Sequence, residues 1–197
     1  HTPSVQITRA IDRLQYHWHR LPPLHLLLYP LSLLFRLLAA LRRALYRNGM
    51  LHTERLPVPV IVIGNISVGG TGKTPLTLWL AERLIAAGRH PGIISRGYRR
   101  EGAAPDTARP VSADDTADAV GDEPLMMARR GLCPVWVGRD RPAVAHALLQ
   151  AHPECDVILS DDGLQHYRLQ RDVEIVVVDG NRRFGNGLLL PAGPLRE

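Results

Sequence analysis

Cysteine is scarce in this chain, with two residues, Cys133 and Cys155, in 197. Two are too few for a disulfide framework and are not spaced as metal ligands, so buried structural thiols in a reducing compartment are expected. An unbroken apolar run is also missing. The leucine-rich segment 24–41 is interrupted by His25, Pro30, Ser32 and Arg36, which argues against a continuous membrane span and against a cleaved signal. No internal repeat is evident. Charge of one sign is not extreme: 24 Lys and Arg against 19 Asp and Glu give +5 at pH 7, which favours anionic partners such as nucleotides, phospholipid surfaces or phosphorylated substrates without choosing among them. A hydrophobic content of 45% over this length suits one well-buried domain. The chain opens on His1 and stops at Glu197 in a loop-like Pro-Ala-Gly-Pro-Leu-Arg stretch, and is expected to be part of a longer protein.

What is present is a phosphate cradle. An apolar strand, Val-Pro-Val-Ile-Val-Ile over 58–63, runs into Gly-Asn-Ile-Ser-Val-Gly-Gly-Thr-Gly-Lys-Thr over 64–74. Gly69, Gly70 and Gly72 carry no Cβ, so the backbone can curl and aim successive N–H groups at an anion. The expected ATP-binding loop is Ser67, Val68, Gly69, Gly70, Thr71, Gly72, Lys73 and Thr74. Lys73 would reach the β- and γ-phosphates, and the Thr74 hydroxyl would meet Mg²⁺. The strict P-loop pattern has glycine where Ser67 stands here, but the strand–turn–helix context is complete. Leu76, Leu80, Leu84 and Ala87 give helical spacing over 75–87, Pro75 suits the first turn, and Gly88 is a stop.

Leu31, Leu34, Leu38, Leu41 and Leu45 also recur at helical spacing, with Ser32, Arg36, Arg43 and Arg47 on another face. Tyr29, Phe35 and Tyr46 could sit near headgroups. This predicts an amphipathic helix lying in an anionic membrane surface, the alternative being a helix packed on its own domain. Residues 1–23 read as a basic N-terminal segment, 24–55 as the membrane-interface helix and linker, and 56–197 as a P-loop domain, which the resemblance given below implies to be a kinase domain lacking its C-terminal portion.

Residues 93–98 read as a short strand leading to a turn with Arg96, and 99–122 as a long polar loop, either a disordered excursion or a mobile functional loop over the site. A helix is expected from 121 to 130, where Asp122 and Glu123 suit the first turn as caps. Further elements are a strand at 134–138, a helix at 141–150, a strand at 157–162 ending in Asp161 and Asp162, and one more buried strand at 172–179. Asp161, ending an apolar strand, is a natural Mg²⁺ ligand in a P-loop enzyme, and Asp162 could hold a metal water or the substrate. Gln165 and His166 follow directly. Alternation of strands and helices implies an α/β fold, a P-loop-like and mostly parallel sheet with flanking helices, its ligand at the carboxyl ends of the strands.

Gly64-Asn65, the 67–75 turn, Ser-Arg-Gly-Tyr at 95–98, Gly-Asp-Glu-Pro at 121–124, Asp-Asp-Gly-Leu-Gln-His-Tyr at 161–167, Arg-Phe-Gly-Asn-Gly at 183–187 and Pro-Ala-Gly-Pro at 191–194 together resemble the tetraacyldisaccharide 4'-kinases. The resemblance implies an enzyme on the cytoplasmic face of the bacterial inner membrane. It would move the γ-phosphoryl of ATP, with Mg²⁺, to the 4'-hydroxyl of an acylated glucosamine disaccharide 1-phosphate, forming lipid IVA. By the same likeness Asp122 is the catalytic base, Glu123 its acidic neighbour, Asp161 and Asp162 the metal and nucleotide-side carboxylates, and Lys73 with Thr74 the phosphate and Mg²⁺ contacts. Arg96, Gln165 and His166 join the substrate or supporting residues. A monomer without nucleic-acid partners is expected.

The rivals are a regulatory P-loop GTPase or ATPase, or a metallochaperone. Against them stand the lack of an Asn-Lys-x-Asp tetrapeptide and Val68, which occupies the place of the extra lysine in dimerising relatives. A scaffold with a degenerate site is disfavoured by the intact Lys73, Thr74 and Asp161.

Overall fold

The computed structural model describes residues 24–65, 72–97, 107–178, 189–190 and 195, with backbone alone for 24–27 and 47. The described residues between 48 and 177 form one compact unit, and helix α1 (Leu24–Arg47) belongs with Val178, Leu189, Leu190 and Leu195 to a second.

The larger unit is built on a sheet of six strands. In chain order they are β1 (Val60–Asn65), β2 (Pro91–Ser95), β3 (Arg109–Pro110), β4 (Val135–Val137), β5 (Val157–Asp161) and β6 (Val173–Val177). Their spatial order is β3-β4-β2-β5-β1-β6, and every pairing is parallel except β3 with β4. Parallel neighbours need crossovers, which helices supply. These are α2 (Lys73–Ala86), α3 (Ala117–Val120), α4 (Asp122–Arg129) and α5 (Arg141–Ala151).

Successive strand residues face opposite sides, so β2 shows how the layers form. Ile93 enters a core with Leu78 and Ala81 of α2, Met127 of α4, Val135 and Leu159. Gly92 faces the other way, where Leu148 of α5 lies so close that a Cβ would meet it at 2.7 Å. Gly138 receives Val144 of α5 in the same manner. Helix α5 therefore covers one face while α2 and α4 cover the other.

Element boundaries differ from expectation where pairing decides them. The strand expected at 93–98 is Pro91–Ser95 and stops before Arg96. The polar stretch expected as one loop contains β3 and α3, because Arg109 and Pro110 pair with Val137 and Trp136. Among the described residues β6 is at the sheet edge rather than buried, with Val173 48% and Val176 45% exposed. Asp162 falls outside β5 and starts a turn.

In the smaller unit α1 runs through Pro30. Leu31, Leu33, Leu34, Leu37, Leu38 and Leu41 are exposed, as are Arg36, Arg42 and Arg43. Ser32, grouped from sequence with the arginines on the face away from the leucines, is buried, and its hydroxyl donates to the Leu189 carbonyl. The hydrogen bond explains how a polar side chain tolerates burial there. Among the described residues no helix is long and apolar enough to cross a membrane.

Candidate active site

The site lies where β1 and β5, adjacent in the sheet, end side by side. Their register sets Ile63 beside Asp161. Beyond β1, Gly72 adopts φ 75°, a left-handed state that a Cβ disfavours, and the chain enters α2 at Lys73 with no side chain capping the first turn. The unpaired N–H groups of that turn and the helix dipole make it a favourable place for phosphate. Ser67, Val68, Gly69, Gly70 and Thr71 lie outside the described residues.

Lys73 and Thr74 are both buried. The Lys73 ammonium donates to Asn65 Oδ1 at 3.1 Å and to Asp162 Oδ1 at 2.8 Å. Thr77, one helical turn on, donates its hydroxyl to the Lys73 carbonyl at 3.0 Å and has Asp161 Oδ1 at 3.4 Å. Asp161 is fully buried, and its Oδ2 has no hydrogen-bond partner. Burial, reinforced by the charges of Glu123 and Asp162 and opposed by Arg141 and Lys73, pushes its carboxyl up to about 6. Asp162 has φ 51°, the single non-glycine residue in the left-handed region among those described.

Of the residues singled out from sequence, Lys73, Thr74, Asp161 and Asp162 come together here, and Glu123 is near enough for its charge to act on Asp161. Asp122 and Glu123 are exposed at the first two positions of α4. Neither is a cap in the strict sense, because Gly121 holds the capping position with φ 95° and no side-chain bond closes it. Arg96 is exposed just beyond β2, and its charge is felt at Arg141. Gln165 and His166 are half-buried in the turn after Gly163, where the His166 amide donates to the Gly163 carbonyl. Cys133 and Cys155 are raised by burial to about 12 and about 11, in keeping with inert thiols.

Several residues of the site were not assigned roles from sequence. Asn65 is a direct partner of Lys73. Arg141, buried at the start of α5, donates Nη2 to the Asp161 carbonyl at 2.7 Å. Arg171 donates to the Leu164 carbonyl at 2.8 Å and stacks on Tyr167, steadying the turn that carries Gln165 and His166. Leu164 in turn fills the space beside Gly64, where a Cβ would meet it at 2.7 Å. The Gly64-Asn65 and Arg-Pro dipeptides were the available signals, but neither says which partner its side chain meets.

A lysine opening a helix after one parallel strand, facing carboxylates at the end of the next strand, defines the P-loop class of nucleotide-binding α/β proteins. Within that class, the family model described as tetraacyldisaccharide-1-P 4'-kinase matches residues 24–197, and the chain belongs to that family. It is 64% identical over 181 residues to the tetraacyldisaccharide 4'-kinase of Azoarcus sp. (strain BH72), covering 92% of this chain and 52% of that protein. With the protein of the same name from Herminiimonas arsenicoxydans it shares 65% identity over 171 residues, 87% of this chain and 47% of the relative. A crystal structure described as the "apo" form of LpxK from Aquifex aeolicus in complex with ATP is similar at TM-score 0.74 and 35% identity, covering 88% of this chain and 54% of the other. The chain thus spans about half the length of the curated relatives it matches.

Proposed function

We propose that the protein to which this chain belongs transfers the γ-phosphoryl group of ATP to the 4'-hydroxyl of an acylated glucosamine disaccharide 1-phosphate, giving lipid IVA at the cytoplasmic face of the inner membrane. The observation that carries the reading is the Lys73–Asp162 pair at the mouth of α2, beside Asp161, in a chain of this family. Lys73 and the uncapped N–H groups of α2 offer positive potential to the β- and γ-phosphates. Asp122, exposed on the first turn of α4, accepts the proton of the attacking sugar hydroxyl, and Glu123 adds negative potential beside it. Arg96, Gln165 and His166 lie on turns at the same end of the sheet and are assigned to substrate contact.

Magnesium fits the donors present. Asp161 Oδ2 is a buried carboxylate oxygen without a partner, and Thr74 adds a hydroxyl at the second position of α2. Among the described residues no cluster of three or more acidic, histidine or cysteine ligands occurs. One or two protein oxygens completed by substrate phosphates and water are the usual set for Mg²⁺. When bound it supplies charge neutralisation on the transferring phosphates.

Four acyl chains hold the acceptor in a bilayer, since leaving it would expose their hydrocarbon to water. The exposed leucines and arginines of α1 support attachment to an anionic membrane surface, the leucines by burial among lipid tails and the arginines by attraction to headgroups. The test uses the full-length protein with vesicles carrying the disaccharide 1-phosphate and γ-labelled ATP. Label appearing at the 4' position supports the reading. Hydrolysis of GTP independent of the lipid, with no transfer, would overturn it in favour of a switch.

A further inference from the structure

We infer that Arg141 is a positioning residue of the nucleotide–magnesium site, a clamp that holds the Asp161–Asp162 turn so that one carboxylate faces Thr77 and the other faces Lys73. The inference rests on the nucleotide-site reading above, though not on the identity of the phosphoryl acceptor.

Arg141 is 1% exposed. Sequestering a guanidinium is costly, and a hydrophobic side chain of similar volume would fill the same space without that cost. Its hydrogen bonding makes the choice more pointed. Nη2 donates to the main-chain carbonyl of Asp161 at 2.7 Å and lies 3.5 Å from that of Asp162, while Nε and Nη1 are buried with no partner. Simple core filling does not account for a cation with two unused donors.

Those two carbonyls belong to the turn that aims both acids. Asp162 holds φ 51°, a state that costs an L-residue other than glycine about 1 kcal/mol and persists when neighbours enforce it. The far end of the turn is fixed by Gly163, where a Cβ would meet Ser160 Oγ at 2.5 Å and Val62 at 3.0 Å. Arg141 fixes the near end. Rotation of either peptide would swing Asp161 away from Thr77 or Asp162 away from Lys73. Both contacts come from the one nitrogen Nη2, so a lysine ammonium reaching the same point could keep part of the clamp. Both carboxylates also attract the guanidinium, and Arg96 repels it.

The test compares Arg141→Met and Arg141→Lys with wild type in the full-length protein, each corrected for its folded fraction by circular dichroism. The affinity of a fluorescent ATP analogue is measured with and without Mg²⁺, alongside kcat and the lipid KM. Affinity without Mg²⁺ and the lipid KM are expected to stay within about twofold, whereas the Mg²⁺-stimulated gain in affinity and kcat per folded molecule fall roughly 10- to 100-fold in Arg141→Met. Arg141→Lys, which keeps the charge, recovers part of the loss and carries the test should the methionine variant not fold. Wild-type Mg²⁺ stimulation and kcat in the folded variants overturn the inference, as does a rise in lipid KM alone. A wild type that binds ATP without Mg²⁺ stimulation also overturns it. A wild type that shows Mg²⁺-stimulated binding but no transfer to the lipid overturns the proposed reaction instead, and leaves Arg141 to be judged on binding.

Discussion

The Lys73 ammonium sits 2.8 Å from Asp162 Oδ1, so the cation proposed to meet a nucleotide's phosphates is already engaged by an acid. The lysine is nearly buried, its side chain 10% exposed, while the carboxylate is 43% exposed. Phosphate must therefore compete with Asp162 for the same charge. Asp162→Asn removes the competitor and a source of repulsion, so ATP affinity without Mg²⁺ is expected to rise about 3- to 10-fold, a difference of about 1 kcal/mol. Turnover is expected to fall, because the lysine loses its charged anchor. Isothermal titration beside a single-turnover assay checks both, and weaker ATP binding would mean that Asp162 serves the nucleotide rather than restraining the lysine.

Lys73→Ala in the full-length protein is expected to reduce phosphoryl transfer by about 100-fold or more, since it removes the positive charge proposed to face the β- and γ-phosphates. Stability should fall by about 1–2 kcal/mol. Of the two partners left behind, Asp162 is well exposed, and losing that pair costs about 1 kcal/mol or less, whereas Asn65 is buried and loses a hydrogen bond worth roughly 0.5–1.5 kcal/mol. Near-normal turnover would remove Lys73 from the phosphate site.

Asp161 gives a pH dependence of definite sign. Its carboxyl is raised by burial from 3.8 to about 6. The folded state therefore binds the proton more tightly than the unfolded state, and the associated stability is fully present below about pH 4 and lost as pH rises through about 6. The Mg²⁺-free protein should lose up to about 3 kcal/mol across that window from this group. Asp161→Asn should abolish this component and be the more stable form at pH 8. Urea unfolding of both proteins from pH 4 to 8 makes the comparison, and parallel curves would mean that Asp161 does not carry the buried charge.

The parts of this site written in local chemistry were legible, and the parts set by distant contacts were not. Glycines, Lys73 and an apolar run announce β1 and α2, because turn geometry and helical spacing are properties of neighbours in sequence. Asp161 was legible for the same reason, standing at the end of Val-Ile-Leu-Ser. Arg141 was not: between Asp140 and Pro142 it reads as a solvated first-turn charge, and only the sheet brings it under β5. The Val-Glu-Ile-Val-Val run of β6 looks like an interior strand, since apolarity does not report whether a second neighbour pairs with it. The two-residue β3 exists through its pairing with β4 and has no signature of its own.

The exposed leucines of α1 make the membrane reading testable. Leu34, Leu38 and Leu41 are 51%, 55% and 53% exposed, so replacing them with serine removes apolar area without opening a core. The triple variant should dissociate from anionic vesicles while retaining ATP affinity. Added salt should weaken wild-type attachment only in part, because it screens Arg36, Arg42 and Arg43 but leaves the leucines unaffected. Undiminished co-sedimentation of the variant would place the attachment elsewhere.

Asp122 separates a structural from a chemical role. It occupies the first position of α4 behind Gly121, so it stabilises the helix only through its charge at the positive end of the dipole. For an exposed residue that is worth roughly 0.3–1 kcal/mol at low salt. Asp122→Asn keeps the size but cannot take a proton, and should therefore lower the unfolding free energy by less than about 1 kcal/mol while slowing single-turnover transfer by roughly 10²- to 10⁴-fold. Glu123→Gln provides the contrast. It leaves Asp122 in place and removes the neighbouring charge that helps raise Asp161, so it should lower the pH at which the Asp161-linked stability is lost, with a smaller effect on the chemical step. Wild-type single-turnover rates in Asp122→Asn at saturating ATP, Mg²⁺ and lipid would exclude it as the base and make Asp162, whose side chain is 43% exposed, the next carboxylate to test.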